Sequence, residues 1–367
     1  MKHMQNTTEI KVLGTGTSKH QMITSVLKEY LNKAGLSIPV NDYTDIDSFL
    51  KDGIESVPAV IYKDQVYNIG RNGSFNKSLR KVVSAILKDS NFGLIEKIVI
   101  PVDFSDISTN AFAYGHRLAT DLGAITKAIH VFFPSAREVT EAATVDIDVA
   151  KLKESYLEDL VATFDSDWGS DLMRVSLIDS EFRTGFPGDE ILDSIEANDA
   201  SLTIMGTTGQ TGFIRKWFGS VSTKVMNESP SPVLLVPEGA SYKGIYKIAY
   251  AYEDIEQDKA VLGDLVSIAE KFGAEIHLIH VEDGSTPDPG YYITELISQL
   301  YPTALITTAS IKSDDIAQGI SDYCINHNMD LISLSTHKKK FFEHLYDDNI
   351  SEKMAVVSKL PLLILKK

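Results

Sequence analysis

LTIMGTTGQTGFIRKWFGSVSTKVM, residues 202–226, reads as a buried strand, a long loop and the start of a helix. A loop of about a dozen residues directly after a parallel strand is longer than the usual connection and tends to be functional. Gly206 and Gly209 can let the backbone turn and come close to a ligand without a Cβ clash. Gly219 and Ser220 fall where the next helix begins, and the free N–H groups and dipole of a helix start favour an anion. Ser220 and Ser222 add hydroxyl donors, so the combination suits a polyphosphate. It is neither of the two common phosphate loops. GxxxxGK[ST] is absent, and GxGxxG fails at Gly14-Thr15-Gly16, where the third glycine would be Lys19. From these residues alone, an ordinary flexible connection with a serine cap reads equally well.

Outward from that loop, residues 96–238 alternate strands and helices. KIVIPVD (97–103) has no polar face, which suits a parallel strand buried on both sides. A helix to about Leu122 follows, then strand AITKAIHVFF (124–133), a long polar loop (134–149) and a helix (150–166). Strand MRVSLI (173–178), helix GDEILDSIEA (188–197), strand LTIMG (202–206), helix 219–228 and strand PVLLVP (232–237) complete the segment. These five strands with four crossovers form a doubly wound sheet, in which ligands bind beyond the carboxyl ends of the strands at the switch point.

Residues 244–367 repeat this order. KIAYAYE (247–253) matches KIVIPVD, and EIHLIHVED (275–283) matches KAIHVFFPS (127–135). DLISLS (330–335) matches SLTIMG (201–206), DNISEKM (348–354) matches GSVSTKV (219–225), and LPLLILK (360–366) matches SPVLLVP (231–237). An ordered match of this length signals duplication. Residues 8–90 read differently: strand, helix, strand, short helix, two strands, helix. VPAVIY (57–62) and QVYNIG (65–70) join at Lys63-Asp64, and Ser90-Asn91-Phe92-Gly93 is a linker. The expected domains are 1–92, 93–240 and 241–367.

The 367 residues are too many for one ordinary domain. A hydrophobic fraction of 43% and a charged fraction of 23% are those of a soluble globular chain. A net charge of −16 argues against nucleic acid as a partner, since phosphate contacts need clustered Lys and Arg. One cysteine, Cys324, excludes internal disulfides and cysteine-based zinc sites. MKHMQNTTEI at the N-terminus lacks an apolar signal core, and no apolar run approaches the roughly 20 residues that span a bilayer. A cytoplasmic protein without membrane contact is expected.

Residues 96–238 resemble the universal stress protein family. Its nucleotide-binding members carry G-x2-G-x9-G-[ST] between the fourth strand and the fourth helix, and Gly206, Gly209, Gly219 and Ser220 fit that spacing without a gap. The resemblance implies ATP or another adenine nucleotide, with or without Mg. It also implies that Asp103, at the end of strand one, contacts the adenosine end, and that Val131, at the end of strand two, binds adenine through its backbone. Pro101, Val102 and Met205 would line the base pocket, and Val221 and Ser222 would complete the phosphate turn. From the residues alone Asp103 could equally cap the helix that follows, work that Ser105 and Asp106 could share. Arg215 and Lys216 either contact phosphates or form a solvated loop tip.

The third segment resembles the family in its strands and not in its loop. Ser335, Lys338, Asp348 and Asn349 stand in place of Gly206, Gly209, Gly219 and Ser220, and Glu253 in place of Asp103. The acidic pair Asp347-Asp348 at the helix start repels a phosphate, so no nucleotide is expected there. Family members commonly dimerise through the last strand, which implies a homodimer or a pseudo-dimer made by two fused copies.

Residues 8–90 resemble the small thioredoxin-like proteins, through VLGTG before a helix and Val57-Pro58 before a strand, the place of that fold's cis-proline. Redox members carry C-x-x-C directly after Gly16, where this chain has Thr17, Ser18, Lys19 and His20. Without thiols, dithiol exchange is absent. His20 is expected at the surface without a role. His130, His277, His280 and Cys324 are expected in packed interiors. The fold class expected is therefore α/β: a thioredoxin-like domain followed by two doubly wound, parallel, five-stranded domains of the adenine nucleotide alpha hydrolase-like type. No catalytic triad, paired carboxylates or metal constellation is evident, so fast catalysis is not expected. Two functions remain: a nucleotide-binding stress or signalling protein, or a nucleotide-free adaptor that meets an unknown protein partner.

Overall fold

The computed structural model describes residues 9–33, 37–45, 54, 56–69, 78–79, 82–83, 85–86, 97–133, 143–166, 177–207, 220–252, 255, 258–282, 295, 297, 299–313, 316–335 and 360–366. The chain divides into two units: residues 1–96 with 123–125 and 159–178, and the remainder.

In the smaller unit, strand β1 (Ile10–Leu13) leads into helix α1 (Ser18–Lys33). Strands β2 (Val40–Tyr43), β3 (Ala59–Tyr62) and β4 (Gln65–Asn68) complete a sheet of order β2-β1-β3-β4. β1 runs parallel to β2 and antiparallel to β3. Lys63 and Asp64 turn the β3–β4 hairpin with φ of 46° and 63°, the left-handed pair that matches the twist of the flanking strands. Ile10, Val12, Ile23, Val26, Leu27, Val60, Leu79 and Val82 form its core. The Val57-Pro58 bond is cis. The short helix and the linker expected in this region lie outside the described residues.

His20 departs from expectation. It is buried, not superficial. The Gly16 N–H donates to its Nδ1 at 3.1 Å, while Nε2 stands 3.3 Å from the Val12 carbonyl and 3.1 Å from Asp42 Oδ1. These three partners compensate the imidazole for lost water, which is what burial of a polar ring requires.

The larger unit is built on a ten-stranded sheet. The elements from residue 97 to 236 are β5 (Lys97–Pro101), α2 (Asp106–Leu122), β6 (Ile125–Phe132), α3 (Ala143–Ser166), β7 (Leu177–Thr184), α4 (Pro187–Ala197), β8 (Leu202–Gly206), α5 (Ser220–Glu228) and β9 (Val233–Val236), of which Ile125, 159–166 and 177–178 group with the smaller unit and the rest make the first half of the larger one. Its second half contains β10 (Lys247–Tyr252), α6 (Lys259–Phe272), β11 (Glu275–Glu282), β12 (Ile306–Lys312), α7 (Ile316–His327), β13 (Leu331–Ser335) and β14 (Leu362–Leu365). The order is β12-β11-β10-β13-β14-β9-β8-β5-β6-β7. β14 and β9 meet antiparallel, Leu362 opposite Leu235 and Ile364 opposite Val233. One apolar cluster joins Val225, Val233 and Leu235 to Ile332, Leu334 and Ile364, so the core is continuous across that junction. The boundary expected near residue 240 falls inside this unit.

Two elements differ from the sequence reading. Residues 143–149 of the expected loop are helical, because α3 begins at Ala143. No glycine or proline interrupts Ala143–Ser166, and polarity alone had suggested a loop. The described third strand runs Leu177–Thr184, so it extends past the expected end at 178; residues 173–176 of the expected strand lie outside the described residues. β7 is the edge strand, so a polar face costs little. Asp179 and Glu181 both reach Lys127 on β6. Charge pairing across strands therefore hides the strand from a search for apolar runs. Among the described residues no helix is long and apolar enough to cross a membrane.

Candidate functional site

β5 and β8 are parallel neighbours, Ile98 opposite Leu202 and Val99 opposite Thr203. From β5 the chain winds one way through β6 and β7, then returns to β8 on the other side of β5. Strand order reverses between β5 and β8, and their carboxyl ends therefore open a crevice. Pro101, Val102 and Asp103 leave β5 there, Met205 and Gly206 end β8, and Val131 lies near the end of β6. Ser220, Val221 and Ser222 open α5, which starts at the same edge. Val131 and Met205 belong to the cluster that α4 and α5 cover. Alternation along β5 puts Pro101 on that face with Val99. Gly209, Gly219, Arg215 and Lys216 lie outside the described residues.

Asp103 is held by the turn it precedes. Its Oδ1 accepts from the Ser105 N–H at 3.0 Å and the Ser105 hydroxyl at 2.6 Å. The Ser105 Oγ in turn accepts from the Ser108 N–H at 3.2 Å. Ser105 is thus the cap of α2, and Asp103 braces the cap while staying exposed. Partial desolvation pushes its carboxyl upward, but hydrogen bonds from Ser105 and Ser108 outweigh this and hold it below the usual carboxylate value. Phe104 has φ of 66°, a left-handed conformation that is uncommon outside glycine and that clusters at functional sites.

Gly206 also has a packing reason. A Cβ there would stand 2.6 Å from Ile107 Cγ2 and 2.9 Å from the Ile107 carbonyl oxygen. Its missing side chain lets the end of β8 approach α2. The start of α5 carries no acidic residue in its first turn, so no carboxylate there offsets the positive end of the helix dipole. Lys224 further along α5 is paired with Asp189.

Two residues at this edge were given no part in the site by the sequence reading. Thr207 is buried, and its hydroxyl finds no partner among the described residues. His130 was expected to be buried, and is, but its ring bonds the Val102 carbonyl at 2.7 Å. Burial, with Lys153 nearby, lowers its pKa below the ordinary imidazole value against the opposing Val102 carbonyl and Asp103. A buried polar side chain adjoining a motif is their shared signal, and only the tertiary structure shows burial.

In the second half, the place of Gly206 is taken by Ser335, which is fully buried. Burial raises the pKa of the Tyr250 hydroxyl, helped by Asp258 and opposed by Ser335. Glu253, Lys338, Asp347, Asp348 and Asn349 lie outside the described residues. Among the described residues no group of three or more His, Cys, Asp or Glu could hold a metal.

Comparison with known proteins adds the following. The universal stress protein family model matches residues 95–237, and a thioredoxin domain model matches residues 8–84. A universal stress protein of Methanocaldococcus jannaschii is 33% identical over 158 residues, 42% of this chain and 89% of that protein. The structure of a universal stress protein from Archaeoglobus fulgidus covers 74% of this chain and 96% of its own, with a TM-score of 0.54 and 17% identity, a likeness of fold. A universal stress protein solved in complex with cAMP covers 39% of this chain and 98% of its own, with a TM-score of 0.31 and 22% identity.

Proposed function

We propose that this chain, which belongs to the universal stress protein family, binds ATP or another adenine nucleotide at one site. It acts in stress response or signalling by nucleotide-dependent change rather than by fast catalysis. The observation that carries the reading is the convergence of Asp103, Val131, Met205 and the start of α5 at one switch-point crevice. In this reading Asp103 accepts from the ribose end, braced for that task by Ser105. Val131 reads adenine through its backbone, with Pro101, Val102 and Met205 around the base. Gly206, Gly209 and Gly219 shape the loop, and Ser220, Val221 and Ser222 meet the phosphates, with or without Mg.

Residues 93–240 and 241–367 are two copies of one unit, the second degenerate. The repeated strand order and the antiparallel β9–β14 pair support an intramolecular pseudo-dimer. Residues 1–92 form a thioredoxin-like domain without redox activity, because Thr17, Ser18, Lys19 and His20 supply no thiol.

The test is to denature purified protein and identify any released small molecule, then titrate ATP, ADP, AMP and cyclic AMP against thermal stability. A ligand at a hundredfold excess over Kd stabilises by about 2.7 kcal/mol, so a clear rise in the midpoint is expected. Gly219→Asp, which copies the second half, should abolish it. No released nucleotide and no shift would leave the nucleotide-free adaptor as the function.

A further inference from the structure

Val102 lies one residue beyond β5, and its backbone is anchored on both sides. Its N–H donates to the Ile129 carbonyl at 2.8 Å. Its carbonyl lies 2.7 Å from His130 Nδ1. A carbonyl can only accept, so Nδ1 carries the ring proton of the neutral imidazole. The side chain thus supplies a hydrogen bond to the Val102 carbonyl just past the end of β5.

The same ring also touches the residue after Asp103. The imidazole stands 4.5 Å from the Phe104 ring and 5.7 Å from that of Phe182. Phe104 turns back onto it through its left-handed backbone, φ 66°. His130 therefore grips the residue before Asp103 by its carbonyl and the residue after it by its ring. The carboxylate stands between two fixed neighbours.

The second half supplies an internal comparison. Setting IHV (279–281) on IHV (129–131) puts His280, which faces Tyr252 across β10 and β11, in the place of His130; it is also buried, yet neither ring nitrogen finds a hydrogen-bond partner among the described residues. Tyr252, in the place of Val102, meets that ring at 5.4 Å. The histidine is present in both halves, and the carbonyl clamp only in the half that keeps the glycine motif.

We propose that His130 is the positioning residue of the adenosine end of the site: its Nδ1–H clamps the Val102 carbonyl and sets Asp103 and the base-binding edge for nucleotide. The inference rests on the nucleotide reading above. It predicts a loss that falls on the nucleoside and not on the phosphates.

The experiment uses the full chain with His130→Asn and His130→Gln. An Asn amide can present an N–H near the Nδ1 position, whereas a Gln amide reaches the Nε2 position instead. Adenosine and ATP affinities are measured by calorimetry, with thermal midpoints alongside. His130→Gln is expected to weaken adenosine and ATP by the same factor, on the order of tenfold, as befits the loss of a side-chain donor to a buried carbonyl. His130→Asn should stay within about threefold of wild type. Equal binding by wild type and His130→Gln would overturn the clamp, as would a loss confined to ATP or a failure of Asn to rescue. If wild type itself binds neither ligand, the nucleotide reading fails and the positioning role falls with it.

Discussion

At Gly14 a Cβ would lie 2.6 Å from Cγ of His20 and 2.9 Å from its Cβ. The glycine leaves room for the imidazole, which fills the place where a redox relative would carry its second cysteine. The backbone N–H of Gly16 donates to Nδ1, so here Nε2 holds the proton, shared between Val12 and Asp42. His130 shows the opposite tautomer, because its Nδ1 faces a carbonyl. Gly14→Ala should destabilise the thioredoxin-like unit by about 1–3 kcal/mol, the usual cost of overpacking. His20→Ala in the same chain should recover part of that loss. Chemical denaturation followed by far-UV circular dichroism reads both. A Gly14→Ala protein as stable as wild type would mean that the ring moves aside freely.

At the scale of elements, β9 and β14 each need a partner. Leu234, Leu235, Leu363 and Ile364 are buried at their junction, and burying one such side chain is worth about 1.5–3 kcal/mol. Lys366, just past β14, donates to the Met226 carbonyl at 2.5 Å, near the C-terminal end of α5. A cation there complements the helix dipole. The last strand of the second half thus carries a residue that steadies the helix whose start is proposed to hold phosphate. Ile364→Asp buries an unpaired charge at this seam. It should lower the thermal midpoint sharply and expose the edge of β9, which then seeks another chain. Light scattering after gel filtration should show self-association beyond wild type. Wild-type stability and an unchanged molar mass would show that the seam contributes little. The seam was legible in sequence as two apolar runs, VLLVP and LPLLILK. β7 was not, because its alternating Asp179, Glu181 and Arg183 satisfy an edge through charge and not through apolar burial.

For the whole molecule, the charge of −16 at pH 7 is joined by two buried imidazoles, His130 and His277, that burial biases toward the neutral form. Burial lowers the pKa of His130 and of His277, the latter against the upward pull of Glu275. Unfolded imidazoles protonate near pH 6.5. Below about that pH the unfolded chain binds protons that the folded chain refuses, so stability falls with pH. Asp103, Glu181 and Glu275 have lowered folded values. Their contribution is present above their unfolded values and is lost as pH falls through the folded ones, a second decline that begins near pH 4. Thermal midpoints should be level from about pH 8 to 6.5 and drop below it, less steeply in His130→Asn. A midpoint unchanged down to about pH 5 would contradict the neutral buried rings.

Periodicity, the repeated strand order and the spacing of Gly206, Gly209, Gly219 and Ser220 are relations along the chain. They were readable without coordinates because a strand's face and a helix start depend on residues within a few positions of each other. Which strands become neighbours is a different matter. The reversal between β5 and β8, the burial of His20 beside Gly14, the clamp of His130 on Val102 and the polar edge at β7 join residues distant in sequence. Each depends on which surfaces lose water together, and only the folded chain decides that.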